Sequence, residues 1–274
     1  MTQQKNKNLT FFHQLSKFYP TISNLLIYLG GFLNGANDLS DGGLCFLYLH
    51  DVDQKYYENF KKLILDLKKE FNFVSTNEAM DLIKNEHMVG KKFLHLSFDD
   101  GFENNFKAAN FLKENKIPAT LFIITNFIDK KFEDLDFYFK EIIKEKKSLD
   151  WSQIKEMQSW GMEIGSHSCN HFNFSQLDNE ETFKEMKESK EKLEGKVGCL
   201  VDSFSFPYGR LTDFKKNDLQ AAKQSGYKFI FTTELKIYKN RKDLGEYICR
   251  YGIEPYLTSK AVKILINGLL KRLR

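Results

Sequence analysis

The sequence predicts an α/β fold, a distorted or incomplete (β/α)7-type barrel of mainly parallel strands in a single domain. Short apolar runs of strand length alternate with longer segments of helical spacing, the pattern of parallel βαβ units. About seven such runs fall within one domain's length of chain, which favours a closed or nearly closed sheet over an open one. Three of the runs end in clustered polar residues, where the chemistry of barrel proteins lies.

The elements follow in order. Residues 1–40 are loosely patterned and form a helical or irregular lead-in. Leu44 to His50 is an apolar strand. Gln54 to Glu70 has Tyr57, Phe60, Leu63 and Leu67 on one helical face, and Asp51 and Asp53 are placed to cap it. Phe73 to Ser75 is a short strand, and Thr76 to Lys84 a helix begun by a good N-cap residue. Phe93 to Phe98 is a strand, Glu103 to Asn115 a helix, and Ala119 to Thr125 a strand after Pro118. The charged stretch Asp129 to Lys147 interrupts the alternation as a surface insertion with some helix. Trp151 to Trp160 is a helix stopped by Gly161, Met162 to Ser166 a strand, and Asp178 to Glu194 a charged helix stopped by Gly195. Val201 to Phe206 is a strand, Asp213 to Ser225 a helix stopped by Gly226, and Tyr227 to Thr233 a strand, with a last short strand at Tyr247 to Cys249. Residues 41–257 form the main domain, and residues 258–274 a basic amphipathic helix.

Composition narrows the function classes. The chain of 274 residues is 42% hydrophobic and 28% charged, ordinary for a globular protein. Its net charge of +4 comes from the end, where Lys260, Lys263, Lys271, Arg272 and Arg274 face no acid. Without those five the balance is 36 basic against 37 acidic groups, so nothing points to a nucleic-acid partner. Val262, Ile266, Leu269 and Leu273 share a helical face there, and residues 260–274 could lie on an anionic membrane surface or pack as a terminal helix. The four cysteines, Cys45, Cys169, Cys199 and Cys249, are scattered and make neither a disulfide framework nor a cysteine zinc site. No run approaches the roughly 18 apolar residues of a membrane span, and residues 25–33 lack a leader's cleavage pattern. The expected location is cytoplasmic, or peripheral to the inner face of a membrane.

The polar strand ends carry the chemistry. Phe93 to Phe98 runs into Asp99, Asp100 and Gly101. Adjacent carboxylates repel unless a cation sits beside them, although Asp-Gly is also a common turn. Met162 to Ser166 runs into His167 and His171. On a helical turn that spacing puts both imidazoles on one face, where they could grip a cation; two surface histidines fit the same spacing. Two histidines with one carboxylate and an open position outline a hydrolytic metal site. His95 alternates with Ser97 and Asp99, so it shares their face, and fits a satisfied core histidine better than a ligand. Trp151 and Trp160 fit core positions better than sugar platforms, and no base is placed to make Ser168 a nucleophile.

These residues resemble the metal-dependent polysaccharide deacetylases of carbohydrate esterase family 4, the nodulation-type deacetylase domain. That family's first motif, (S/T)-F-D-D-G, matches Ser97 to Gly101; its second, H-(S/T)-x-x-H, matches His167 to His171; its third ends in P-(Y/F/W)-G, here Pro207-Tyr208-Gly209. The resemblance spans about residues 44–255 and keeps the family order. It implies that Asp99 is the general base, that Asp100, His167 and His171 hold a divalent metal ion, zinc before others, and that the Tyr208 N–H stabilises the oxyanion. It implies an N-deacetylase that releases acetate from an amino-sugar glycan, whether polysaccharide, oligosaccharide or lipid-linked sugar.

Two departures matter. The arginine that often opens the family's third motif is replaced by Ser205, and Arg250 could supply a guanidinium from another strand. No histidine follows His171, although the family's general acid usually lies late in the chain. Phe46 to Asp51 is similar to the early strand-histidine motif of the circularly permuted branch, which includes poly-N-acetylglucosamine deacetylases, so His50 is the candidate acid. A hydrolase of a small amide or an acylated sugar nucleotide, and a non-catalytic glycan binder, remain as alternatives. Oligomeric state is not legible.

Overall fold

The computed structural model describes residue 39, residues 41–234 and residues 236–267. The lead-in of residues 1–38 and the end of the tail, with Leu269, Lys271, Arg272, Leu273 and Arg274, lie outside the described residues. In chain order the elements begin with β1 (Gly43–Leu49), α1 (Tyr57–Lys68), β2 (Asn72–Phe73), α2 (Thr76–Lys84), β3 (Lys92–Phe98) and α3 (Asn105–Glu114). Then come β4 (Thr120–Ile123), the short helices α4 (Thr125–Ile128) and α5 (Phe137–Ile143), α6 (Trp151–Ser159) and β5 (Glu163–Ser166). The chain continues through α7 (Asn179–Val197), β6 (Ser203–Ser205), α8 (Lys216–Gln224), β7 (Phe229–Thr232), β8 (Ile237–Tyr238), β9 (Ile248–Cys249), β10 (Tyr251–Gly252) and α9 (Ser259–Asn267).

Eight strands run in the order β10-β1-β3-β4-β5-β6-β7-β9, with every neighbouring pair parallel. β2 adds to β3, and β8 pairs antiparallel with β1. The two ends of the path, β9 and β10, are separated in sequence by Arg250 alone. The sheet therefore curls until its edges meet at that residue, a distorted barrel whose closing strands are two residues long. The Arg250 N–H donates to the Thr232 carbonyl at 3.1 Å, and the Ile253 N–H to the Tyr48 carbonyl at 2.9 Å, tying the seam to both sides.

Side-chain alternation splits the core in two. Leu44 and Phe46 of β1, Phe93 of β3, Phe122 of β4 and Phe231 of β7 pack inside the barrel. Their sequence neighbours Cys45, Leu47, Leu94, Leu121, Ile123 and Ile230, with Leu96 two residues beyond Leu94, point outward against the helices. α1 meets them with Phe60, Leu63, Ile64 and Leu67, spaced for one helical face. Capping boxes start α2 (Ser75 with Glu78), α6 (Asp150 with Gln153) and α7 (Asp178 with Glu181).

Three expectations are corrected, and one short strand was not foreseen. α7 runs through Gly195 to Val197, because Val197 still buries against the core and Gly198 takes the left-handed C-cap, φ +74°. The 129–147 stretch is packed rather than superficial: Leu135, Phe139 and Ile143 form a cluster with Phe102, Ile124 and Phe127. β8 went unforeseen, since two residues leave no periodicity to detect. Asp53 accepts from the Lys55 N–H as a cap, but Asp51 instead pairs with Lys146 at 2.9 Å.

Helix α9 packs against the core. Ala261, Val262 and Ile266 are fully buried, and Lys263 pairs with Glu70 of the segment after α1 at 2.5 Å. The apolar residues Val262 and Ile266 are thus covered by protein. Among the described residues, no helix is long and apolar enough to cross a membrane.

Candidate active site

The site lies beyond the carboxyl ends of the parallel strands. Asp99 continues β3, its N–H donating to the Leu49 carbonyl at 2.9 Å. Asp100 then turns to φ +75° and Gly101 to φ +84°. At Gly101 an added Cβ would stand 3.2 Å from Ile123 and Ile128, in a backbone region that side chains disfavour. The turn lets two adjacent carboxylates take separate partners.

Asp99 belongs to Arg250. Nη1 donates to Oδ1 at 2.7 Å and Nη2 to Oδ2 at 2.8 Å. The same guanidinium donates to Ser97 Oγ at 2.9 Å and Ser205 Oγ at 2.6 Å, and lies over the rings of Tyr48 and Phe122 at 4.7 and 4.8 Å. Burial raises the Asp99 carboxyl, but the Arg250 charge, with lesser help from His167 and the Arg250 hydrogen bonds, leaves it below the usual range.

Asp100 faces the two histidines. Its Oδ1 lies 3.5 Å from His167 Nε2 and 3.6 Å from His171 Nε2, and it has no hydrogen-bond partner although buried. Burial, then the neighbouring Asp99 charge, pushes the Asp100 carboxyl well up. Burial likewise pushes His167 down and His171 well down, which keeps both rings neutral and their lone pairs available. Among the described residues these three form the one cluster that could hold a metal, with ligand atoms within 4.8 Å of one another. The observed 3.5–3.6 Å separations approach the ~3.3 Å edge of a tetrahedron with bonds of ~2.05 Å. An orphaned buried carboxylate oxygen, two neutral imidazole nitrogens and no fourth protein ligand fit a divalent metal with an open position.

The His167–His171 segment is a loop, not the helical turn its spacing suggested. Ser168 and His171 both take left-handed φ, +67° and +62°, and bring the two rings to 5.0 Å. Glu185 of α7 holds this loop, accepting from the N–H groups of Cys169 and Asn170 at 3.0 and 2.9 Å. Ser168 Oγ accepts from the His171 N–H at 2.9 Å, a structural role. Tyr208, at φ +61°, donates its phenol to Asp136 at 2.6 Å. Asp100, Ser168, His171 and Tyr208 are four of the seven non-glycine residues with left-handed φ among those described, so backbone strain gathers at this site.

A cavity of about 170 Å³ joins these groups, lined by Asp99, Asp100, His167, His171, Tyr208 and His50 among others. His50 follows β1 with its ring 5.5 Å from Tyr48, and its carbonyl accepts from Asn105 at 2.9 Å. All seven residues singled out for the site thus converge, six on the cavity and Arg250 directly behind Asp99. His95 stays apart, its Nε2 meeting Thr76 and Thr120 at 3.0 and 3.1 Å while Nδ1 has no partner; burial first, then the Arg250 charge, pushes it down to about 3. The two tryptophans line no part of the cavity: Trp151 donates to Asp129 and Trp160 packs on Phe106. Sequence reasoning missed Asp136, Glu185 and the Asp51–Lys146 pair, and the bonds by which Ser97 and Ser205 hold Arg250. Only Ser97 and Ser205 gave a signal, as polar residues inside apolar strands.

Residues 86–230 match the polysaccharide deacetylase family model, a span that excludes His50 and Arg250. The chain is 27% identical to YxkH of Bacillus subtilis (strain 168) over 220 residues, 80% of this chain and 71% of that protein. It is 26% identical to the poly-β-1,6-N-acetyl-D-glucosamine N-deacetylase of Staphylococcus aureus (strain MSSA476) over 201 residues, 70% of this chain and 67% of that one. In fold it is similar to the Streptococcus pyogenes deacetylase PplD, solved in complex with acetate (TM-score 0.65, 22% identity, 84% of this chain and 97% of that one). It is equally similar to IcaB from Ammonifex degensii (TM-score 0.65, 20% identity, 82% and 95%). With the family model covering more than half of its length, the chain belongs to the polysaccharide deacetylase family.

Proposed function

We propose that this protein hydrolyses the N-acetyl group of an amino-sugar residue in a glycan, releasing acetate and leaving a free amine. The observation that carries this is the meeting, in one cavity, of an orphaned Asp100–His167–His171 cluster with a carboxylate held ionised by arginine. Family membership and the staphylococcal N-deacetylase relative support the same reaction. A divalent cation, zinc first, held by Asp100, His167 and His171 would polarise the acetyl carbonyl and lower the pKa of water towards ~7.

The chain's own residues do the rest. Asp99 accepts the proton of the attacking water on a carboxylate oxygen, and Arg250 keeps that carboxylate ionised and aimed. The Tyr208 N–H donates to the oxyanion, a contribution of roughly 2.7–4 kcal/mol for one such donor. His50, on the cavity wall, donates the proton that lets the nitrogen leave as an amine when the C–N bond breaks. Arg250 answers the absence of an arginine in the third motif, and weakens the reading of a non-catalytic binder.

The cavity of about 170 Å³ is smaller than the roughly 300–1,000 Å³ that enclose a drug-sized ligand, so a glycan would insert its acetamido group and run over the rim. The same small volume admits a simple amide as the second reading. Zinc-loaded protein offered N-acetylglucosamine oligomers alongside acetamide and formamide separates the two by which releases acid. Asp99→Asn should retain the cation and lose turnover; full activity in that variant would overturn the base assignment.

A further inference from the structure

The two histidines of the cluster are held in different ways. His167 Nδ1–H donates to the Ser205 carbonyl at 2.7 Å, which fixes its tautomer and aims Nε2 at Asp100. His171 Nδ1 is buried and has no hydrogen-bond partner. A ligand histidine is ordinarily oriented by a hydrogen bond on its second nitrogen. For His171 two aromatic rings pack against the imidazole instead, Phe139 at 4.5 Å and Tyr208 at 4.9 Å between centroids.

Both rings are anchored by one residue. Asp136 Oδ1 accepts from Tyr208 Oη at 2.6 Å. The same oxygen accepts from the N–H groups of Tyr138 and Phe139 at 2.9 and 3.0 Å, capping the helix α5 that carries Phe139. The Asp136 N–H donates to the carbonyl of Asn170, the residue before His171, at 2.8 Å. Asn170 is gripped from the other side by Glu185 and by Asn126, whose amide donates to Asn170 Oδ1 at 2.6 Å. The loop, the phenol and the helix around His171 therefore meet at Asp136.

We propose that Asp136 is a positioning residue for His171, orienting the imidazole through Phe139 and Tyr208 in place of the hydrogen bond that Nδ1 lacks. This rests on the metal-site reading above. Asp136 is absent from the cavity wall and acts only through the residues it anchors.

The test uses zinc alone and needs no substrate. Chelator competition should show zinc bound about tenfold more weakly by Asp136→Ala than by the wild type, the usual scale for losing an outer-shell partner. Asp136→Asn, which keeps an acceptor oxygen, should recover most of that loss. Tyr208→Phe removes only the phenol oxygen and covers the case in which Asp136→Ala does not fold. In the cation-free protein, the His171 ring resonance, assigned by its disappearance in His171→Ala, should shift or split in Asp136→Ala while that of His167 stays put. Unchanged zinc affinity in both Asp136→Ala and Tyr208→Phe would overturn the proposal, as would equal movement of the His167 and His171 signals, the mark of general loosening. A wild-type protein that takes up no divalent cation overturns the metal-site reading instead, and the ring signals still decide the role of Asp136.

Discussion

The site has two halves built on different principles. The barrel half, with Asp99, Arg250, Ser205 and His167, is bound by hydrogen bonds between strand ends, and Arg250 closes the sheet and clamps Asp99 at once. The insertion half, with Asp136, Phe139 and Tyr208, holds His171 by ring contacts and one capping carboxylate. The first half leaves no oxygen of Asp99 unpaired, while the cluster at the boundary leaves Asp100 Oδ1 and His171 Nδ1 without partners. One carboxylate is satisfied by a bidentate guanidinium and the next is orphaned, the asymmetry on which the proposed cation site rests. The halves should therefore fail differently.

Breaking the barrel half has the largest expected effect. Arg250→Met leaves Asp99 buried and unpaired, which should remove about 3–5 kcal/mol of stability in urea unfolding. Asp99→Asn in the same background should return much of it. A fall as small as that from a surface substitution would dissolve the contrast between the halves.

Cation removal comes next. Zinc at a hundredfold excess over its dissociation constant should stabilise the protein by about 2.7 kcal/mol, and exhaustive chelation should abolish acetate release until zinc is restored. His167→Ala should erase most of that zinc-dependent shift in melting temperature.

The two carboxylates should also separate with pH. The folded pKa of Asp99 lies below its unfolded value, so the Arg250 pair adds stability above the ordinary carboxylate range and loses it only as pH falls through the lowered value. Asp100 is the reverse. Its folded pKa is raised in the cation-free protein, so stability there falls as pH rises from the ordinary carboxylate value towards the raised one. Zinc must displace that proton, and its affinity should rise by up to about tenfold per pH unit across this window. An affinity independent of pH would remove Asp100 from the ligand set.

The insertion half should cost less when broken. Asp136→Ala loses an N-cap and one phenol hydrogen bond, about 1–2 kcal/mol in unfolding. Smallest of all, Gly195→Ala on α7 meets open space and should add roughly 0.5–1 kcal/mol without touching either half.

The strand-end residues were legible because their signals are local. Asp99, Asp100, His167 and His171 each follow an apolar run of strand length, and period-2 alternation separates barrel-facing Phe46 and Phe122 from helix-facing Leu47 and Leu121. Gly195 misled because a helix stop depends on what the next turn can bury, and here that is Val197. Asp136 was invisible: an aspartate in a run of charges has no mark that distinguishes a solvated side chain from one capping a helix and accepting a phenol.

Sequence by itself determined the strand–helix alternation, the positions of the strand-end carboxylates and histidines, and the family they resemble, because these depend on periodicity and on neighbours a few residues away. Tertiary structure alone decided that Arg250 lies on Asp99 across 151 residues and that Asp136 lies on Tyr208 across 72. The first pair forms only when the sheet has curled far enough for the two ends of its strand path to share Arg250 as their seam, and the second only when the chain beyond β4 meets the chain beyond β6, arrangements that no local pattern encodes.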